Sequence, residues 1–367
     1  MSTSLSELTT LRLGGPAGRL LEAATDDAVV EAVLAADRAR EPLLVLAGGS
    51  NVVVADHGFP GTVVRVATRG VRVEERGGGR VRLDVQAGEP WDPFVAARVE
   101  DGLAGVECLS GIPGSVGATP IQNVGAYGQE VAETIVSVRA LDRSRGAVEE
   151  LPADACGFTY RSSAFRRIRA RWVVLAVTFE LERRERSEPL RYAELARALG
   201  VEIGGRAPLG AVREAVLRLR RGKGMVVDPA DPDSISAGSF FTNPVLDAAG
   251  FEALLARLPA GERPPAWPDG DGRVKTSAAW LIERAGFARG FGDPEGIAIS
   301  CKHTLALTNR GAGTTTQLLD LAHEIAGGVQ AAFGVELVPE PMLVGTPWRG
   351  AVAAPAALGR PRVDEQG

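Results

Sequence analysis

Residues Leu109 to Gln129 read LSGIPGSVGATPIQNVGAYGQ, a run with no charged side chain that carries Gly111, Gly114, Gly117, Gly125 and Gly128 beside Pro113 and Pro120. That density of turn formers forbids a regular helix or strand. A long structureless segment inside a compact domain is usually functional or disordered, and disorder normally comes with high charge. Function is therefore the expectation. The segment offers exposed backbone amides, short hydroxyls, the amide side chains of Gln122 and Asn123, and Tyr127. No fixed charge repels a phosphate or obstructs a flat apolar ring, so the surface fits a dinucleotide cofactor.

Toward the N-terminus, apolar Val29, Val30, Val33 and Leu34 follow a helical period behind Asp26, predicting a helix to Arg40, and Leu43 to Leu46 reads as a buried strand. Gly48, Gly49, Ser50 and Asn51 interrupt it, and Val52 to Val54 follow at once. The order is strand, loop, strand. A Rossmann fold needs a helix after its glycines, which excludes that reading here. Backbone N–H groups converging at these glycines suit a pyrophosphate, although an ordinary tight turn uses the same residues. Two glycine-rich loops, neither opening a helix, point towards flavin more than nicotinamide or ATP. Short strands are predicted at Thr62 to Val66, Val71 to Glu74 and Val81 to Val85, and a helix from Trp91 to Glu100.

Toward the C-terminus, Trp172 to Leu181 alternates as a strand, and Glu182 to Ser187 reads as an exposed connection. Leu209 to Arg221 forms an amphipathic helix with Val212, Ala215, Val216 and Leu219 on one face. Pro229 and Pro232 mark a boundary, after which helices are predicted near Ala248 to Leu258, Thr276 to Ala285 and Thr315 to Phe333, the last closed by Gly334. Residues 346–367, rich in Ala and Pro, read as a flexible tail.

The 367 residues, 45% of them hydrophobic, suffice for two or three domains, and 41 basic against 46 acidic residues leave a net charge of −5. With no long basic run, neither nucleic acid nor a membrane surface is an expected partner. No stretch is long and apolar enough for a membrane span, and Met1 to Gly15 lacks the basic start and apolar centre of a secretory signal, so the expected location is cytoplasmic. Cys108, Cys156 and Cys301 show no metal-ligand or CxxC spacing and are expected as buried reduced thiols, with no metal site. Lysine occurs only at 223, 275 and 302, in a chain whose default cation is Arg. A lysine in such a background marks either a place that favours a compact ammonium or an ordinary solvated charge.

Several blocks together resemble the UDP-N-acetylenolpyruvoylglucosamine reductase family of peptidoglycan synthesis. They are Thr10-Leu11-Arg12-Leu13-Gly14-Gly15-Pro16-Ala17, Leu46 to Asn51, the uncharged loop, Tyr160-Arg161-Ser162-Ser163-Ala164-Phe165, Ala237-Gly238-Ser239-Phe240-Phe241-Thr242-Asn243-Pro244, Ala279-Trp280-Leu281-Ile282-Glu283 and Leu337-Val338-Pro339-Glu340-Pro341. The resemblance runs in the family's order from about residue 10 to 345. It implies an α+β fold: a FAD-binding domain of the vanillyl-alcohol-oxidase/PCMH type in two subdomains, 1–66 and 67–222, and a C-terminal α/β substrate-binding domain, 223–345. A substrate-covering loop near 186–200 would place the chain in the subclass that carries one.

By the same resemblance Arg161, Ser239 and Glu340 are the catalytic residues. Arg161 would pair with the substrate carboxylate as charge builds on it, and Ser239 would donate a proton. Glu340, aimed by Pro339 and Pro341, would help stabilise the enol. Non-covalent FAD would be held by Gly48, Gly49, Ser50, Asn51, Ile112, Pro113, Gly114, Ser115, Gly117, Ala118, Thr119, Gln122, Asn123, Gly125, Ala126 and Val177. Tyr192, Lys223 and Asn243 would contact the UDP moiety. Thr242 stands where many relatives place Lys, and Lys302 or Arg221 is the expected substitute.

The implied activity is that of an oxidoreductase in which NADPH reduces FAD, and the reduced flavin in turn reduces UDP-N-acetylglucosamine enolpyruvate to UDP-N-acetylmuramate. No obligate protein partner is implied. Two alternatives stand beside it, an oxygen-using oxidase of the same flavin fold and a non-catalytic nucleotide-binding flavoprotein. Tethered flavins of such oxidases hang on His or Cys, and no histidine falls inside a flavin-loop block, although His57 follows one closely. A binder would need no proton donor.

Overall fold

The computed structural model describes residues 3–168 and 170–350. The N-terminal part is a parallel three-stranded sheet in the order Ala17–Ala23, Phe59–Val66, Leu43–Leu46. The helix Asp26–Ala39 covers it, with Thr25 capping the N-terminus, Asp26 and Asp27 in the first turn, and Arg40 in the left-handed conformation at the other end. Its buried face, Val29 and Val33, joins the main core with Val64 and Val66.

An antiparallel sheet follows, in the order Ala147–Pro152, Ile135–Asp142, Trp172–Arg183, Arg80–Gln86, Val71–Glu75. The last strand is exposed at every residue and carries Arg72, Glu74 and Glu75, charges that discourage pairing at an open edge. The helix Trp91–Glu100 packs beneath. Fully buried Trp91 lies against Phe94 and Phe179, at centroid distances of 5.7 and 6.0 Å, and its indole N–H donates to Leu109 O at 3.0 Å. The core thereby fixes the chain where the uncharged loop begins.

In the C-terminal part the helix Thr315–Phe333 carries a Thr314/Gln317 capping box and ends on Gly334 at φ 70°. It buries Leu318, Leu321, Ala322, Ile325 and Val329 against the helix Ala278–Arg284 and the antiparallel sheet Ser236–Ser239, Ala306–Asn309, Ile297–Ile299. The two parts are bolted together. The strand Met342–Val344 runs parallel to Val52–Val54, Thr315 Oγ1 donates to Val54 O, and the first amides of the long helix donate to the Asp56 carboxylate at 2.7 and 2.8 Å.

Three expectations need correction. Glu182 and Arg183 belong to the long strand, and Ser187 is fully buried, its amide donating to Ala207 O at 2.8 Å; the chain folds back there rather than crossing solvent. Cys301 is exposed, whereas Cys108 and Cys156 are buried. The expected tail begins packed: Trp348 stacks on His323 at 4.2 Å and meets Phe241 at 6.0 Å. Residues 351–367 lie outside the described residues.

Candidate functional site

The two glycine-rich loops touch. A Cβ on Gly48 would stand 2.5 Å from Gly114 Cα, and one on Gly114 would stand 2.6 Å from Ser50 Oγ, so only glycine allows this approach. Gly49 sits at φ +59° with its carbonyl accepting from Thr10 N. Between Leu109 and Gln129 the chain forms only 3₁₀ turns and a two-residue strand, as its composition requires. Gly117 packs where a Cβ would collide with Ala87, and buried Thr119 donates to Val116 O at 2.8 Å. Asn123 spends its side chain on the protein: its amide donates to Glu130 at 2.7 Å and Thr159 O at 3.2 Å, and its oxygen accepts from Ala132 N. These buried members shape the loop, leaving Gly48, Ser50, Asn51, Ile112, Pro113, Gly114, Ala118, Gln122, Gly125 and Ala126 at least partly accessible along it.

Asn51 Nδ2 donates to Gln122 Oε1 at 3.0 Å, which also accepts from Arg166 Nη1 at 2.8 Å, while Gln122 Nε2 donates to Glu340 Oε1 at 3.4 Å. Arg161 approaches the same carboxylate, Nε to Oε1 at 3.9 Å, and its Nη2 donates to Gly125 O at 2.7 Å. Its backbone stands at φ +52°, a left-handed conformation that costs a non-glycine residue on the order of 1–3 kcal/mol and tends to occur at functional sites. Burial pushes the Glu340 carboxyl above its ordinary pKa, against the opposing pull of Arg161 and Arg166.

Glu340 is delivered by strand pairing. Its amide donates to Phe240 O at 2.8 Å, and two residues on, Met342 N donates to Asn51 O at 3.0 Å. Phe240 directly follows Ser239, which pairs with Ala306 at the end of its strand and is half-buried. Gly238, at φ +75° with open space around it, makes the turn into that position. Ser239, Glu340 and Asn51 therefore share one backbone seam, although they lie far apart in sequence.

A second group stands beyond Gly125. Tyr127 meets Tyr192 edge-on at 5.4 Å, Lys223 Nζ lies 5.8 Å from the Tyr127 ring centre, and the same ammonium binds Glu194 at 2.6 Å. Asn243 lies on the Arg161 side instead, its Oδ1 accepting from Ala278 N at 3.0 Å and its side chain facing Tyr160. Lys275 Nζ stands 4.0 Å from the Tyr160 ring centre and the Arg161 guanidinium 5.6 Å from it.

Two family models match the chain, one described as "FAD binding domain" over residues 17–152 and one as "UDP-N-acetylenolpyruvoylglucosamine reductase, C-terminal domain" over residues 229–344. The UDP-N-acetylenolpyruvoylglucosamine reductase of Salinispora arenicola (strain CNS-205) is 59% identical over 342 residues, covering 93% of this chain and 94% of that protein. The chain belongs to the UDP-N-acetylenolpyruvoylglucosamine reductase family. The protein of that name from Thermobifida fusca (strain YX) is 56% identical over 345 residues, 93% of this chain and 96% of its own. The crystal structure of UDP-N-acetylenolpyruvylglucosamine reductase (MurB) from Thermus caldophilus shares the fold, with a TM-score of 0.63 and 24% identity over 94% of this chain and 98% of that one.

The reductase fold makes sense of the loop surface. Ser115 Oγ is buried in the glycine loop with no hydrogen-bond partner among the described residues, and Arg220 Nε, beside Gly111, likewise has none among them. Such donors, with the Cβ-free contact of Gly48 and Gly114, fit the FAD that the matched domain binds. Val177 does not belong to this surface. It is 0% exposed in the core, on a strand paired on both sides, so its side chain reaches no ligand there.

Lys302 is also committed elsewhere, to Asp231 at 2.7 Å, and Thr242 hydrogen-bonds Val338 O. A lysine does stand over the neighbouring Tyr160 ring, Lys275. Sequence reasoning missed Lys275, Arg166 and Arg220 as site neighbours. Only Lys275 had a signal, the scarcity of lysine; the arginines are indistinguishable in an Arg-rich chain. Arg220 pairs with Met225 O at 2.7 Å, and burial holds its pKa down to about 10.

Proposed function

We propose that this protein reduces the enolpyruvyl double bond of UDP-N-acetylglucosamine enolpyruvate to give UDP-N-acetylmuramate, a step of peptidoglycan precursor synthesis, with FAD as cofactor and NADPH as reductant. The observation that carries this reading is the family membership, over nearly the whole chain, of a protein whose Arg161 and Glu340 meet beside the paired glycine loops. Residues 1–66 and 67–222 hold FAD, and 223–345 supply Ser239 and Glu340. Bound FAD supplies a hydride, taken from NADPH, to the terminal carbon of the double bond.

The residues of this chain do the rest. Hydride arrival leaves negative charge spreading from the adjacent carbon toward the substrate carboxylate. Arg161, whose planar guanidinium presents a fork of donors, pairs with that carboxylate and stabilises the developing charge. Glu340, with a carboxyl whose pKa is raised by burial, is available as a proton-bearing group that hydrogen-bonds the enol form. Ser239 gives its proton to the adjacent carbon. A hydroxyl is a weak acid in water, and the transfer requires a strongly basic carbon in a site closed to solvent. Tyr192, Lys223 and Asn243 bind the UDP moiety. No helix among the described residues is long and apolar enough to cross a membrane, and the proposed location is the cytoplasm.

NADPH consumption by the FAD-loaded enzyme in air, with and without the enolpyruvyl sugar nucleotide, tests the reading. Consumption should depend on the nucleotide. Equal consumption without it would make the protein an oxidase. Because the two substrates take turns at the flavin, initial-rate plots should give parallel lines, and intersecting lines would sink the alternating order.

A further inference from the structure

We propose that Glu194 is a carboxylate placeholder at Lys223, which the diphosphate of the sugar nucleotide displaces when it binds. This rests on the reading of Lys223 and Tyr192 as contacts to the UDP moiety. Glu194 lies two residues after Tyr192, in the first turn of the short helix Ala193–Ala198, and Lys223 caps the C-terminal end of the helix Leu209–Gly222. Their 2.6 Å contact therefore joins two separate elements at the spot where Tyr127, Tyr192 and Lys223 converge. An anion brought to Lys223 and Tyr192 arrives against the Glu194 carboxylate. Like charges at that range repel, and both cannot hold one ammonium on the same side.

Two observations favour exchange over a structural latch. The Glu194 segment is docked without the ion pair, because Leu195 and Ala196 are buried at 0% and 2% exposure in a cluster with Leu190, Val212 and Val216. Moreover, the Glu194 and Lys223 side chains are 39% and 34% exposed, so the carboxylate can rotate into water at little cost. Until the ligand comes, the carboxylate keeps the ammonium paired. Only a ligand with enough negative charge to repay that lost pair gains by displacing it, which disfavours neutral sugars.

Calorimetric titration of the FAD-loaded enzyme with UDP-N-acetylmuramate tests this. Glu194→Gln should bind about three- to fivefold more tightly than wild type. The salt dependence should steepen, because the free site then carries an uncompensated positive charge. Glu194→Asp, which keeps the charge but cannot reach Nζ, should move in the same direction by less. In a Lys223→Met background the gain from Glu194→Gln should vanish, an outcome that a purely structural role for Glu194 would not produce. Equal or weaker binding by Glu194→Gln, or a gain that survives in the Lys223→Met background, overturns the placeholder. A wild-type enzyme that binds no UDP-N-acetylmuramate overturns the underlying reading of the site, and the placeholder with it.

Discussion

Arg161 and Glu340 stand 3.9 Å apart with side chains 28% and 16% exposed, whereas Lys223 and Glu194 stand 2.6 Å apart with 34% and 39% exposed. The shorter pair is the weaker determinant. Around Lys223, water competes for both charges, and such pairs contribute about 0–1 kcal/mol. Around Glu340, burial outweighs two arginines and shifts the carboxyl toward its protonated form. On the proposed reading the two halves of the site suit different tasks: the buried half would hold fixed groups for charge and proton chemistry, and the exposed half would exchange partners to admit and release a nucleotide.

Ser239→Ala should produce the largest effect and belongs to the buried half. Turnover should fall by about 10²- to 10⁴-fold, while stopped-flow reduction of the bound flavin by NADPH stays near the wild-type rate. Loss of both half-reactions would instead assign Ser239 a structural role.

Next comes Glu340→Gln, which should cut turnover by at least about tenfold yet relieve a stability cost. Because the folded carboxyl has a raised pKa, above its ordinary 4.5 the native state holds a proton that the unfolded chain has already released. Stability consequently declines as pH rises through that window, and the variant should lack this decline. Melting curves from pH 4 to 8 would show it as a widening gap in the variant's favour; a constant gap would mean that the carboxyl's pKa is not raised.

The smallest effect should come from Lys223→Met. KM for the sugar nucleotide should rise about fivefold at low salt, with kcat little changed, and the difference should shrink as salt screens the exposed charge. If kcat fell instead, Lys223 would belong with the buried half and the contrast between the halves would fail.

Much of this molecule was legible before folding. The helix Asp26–Ala39 lies where its apolar period and Asp26 put it, and Thr315–Phe333 ends at Gly334, because those signals act within a few residues. The absence of regular structure after Leu109 followed from glycine and proline alone. Less legible was everything that depends on a distant partner. Ser187 reads as exposed in an Arg-rich run but is buried, its amide bonded to Ala207 O, and Val177, assigned to FAD by the resemblance, lies wholly inside the sheet. Arg166 and Arg220 carry no local mark that sets them at the site.

The sequence by itself determined the main helices, the two glycine loops and, through its blocks, the family, since each of these is written in residue type and spacing. Only the tertiary structure decided that Met342 pairs with Val52, that Asn51, Gln122, Arg166, Arg161 and Glu340 form one hydrogen-bonded and ion-paired cluster, and that Glu194 occupies Lys223. The reason is physical. Strand pairing and burial join residues hundreds of positions apart, and the surroundings they create set the working charge and proton affinity of each side chain.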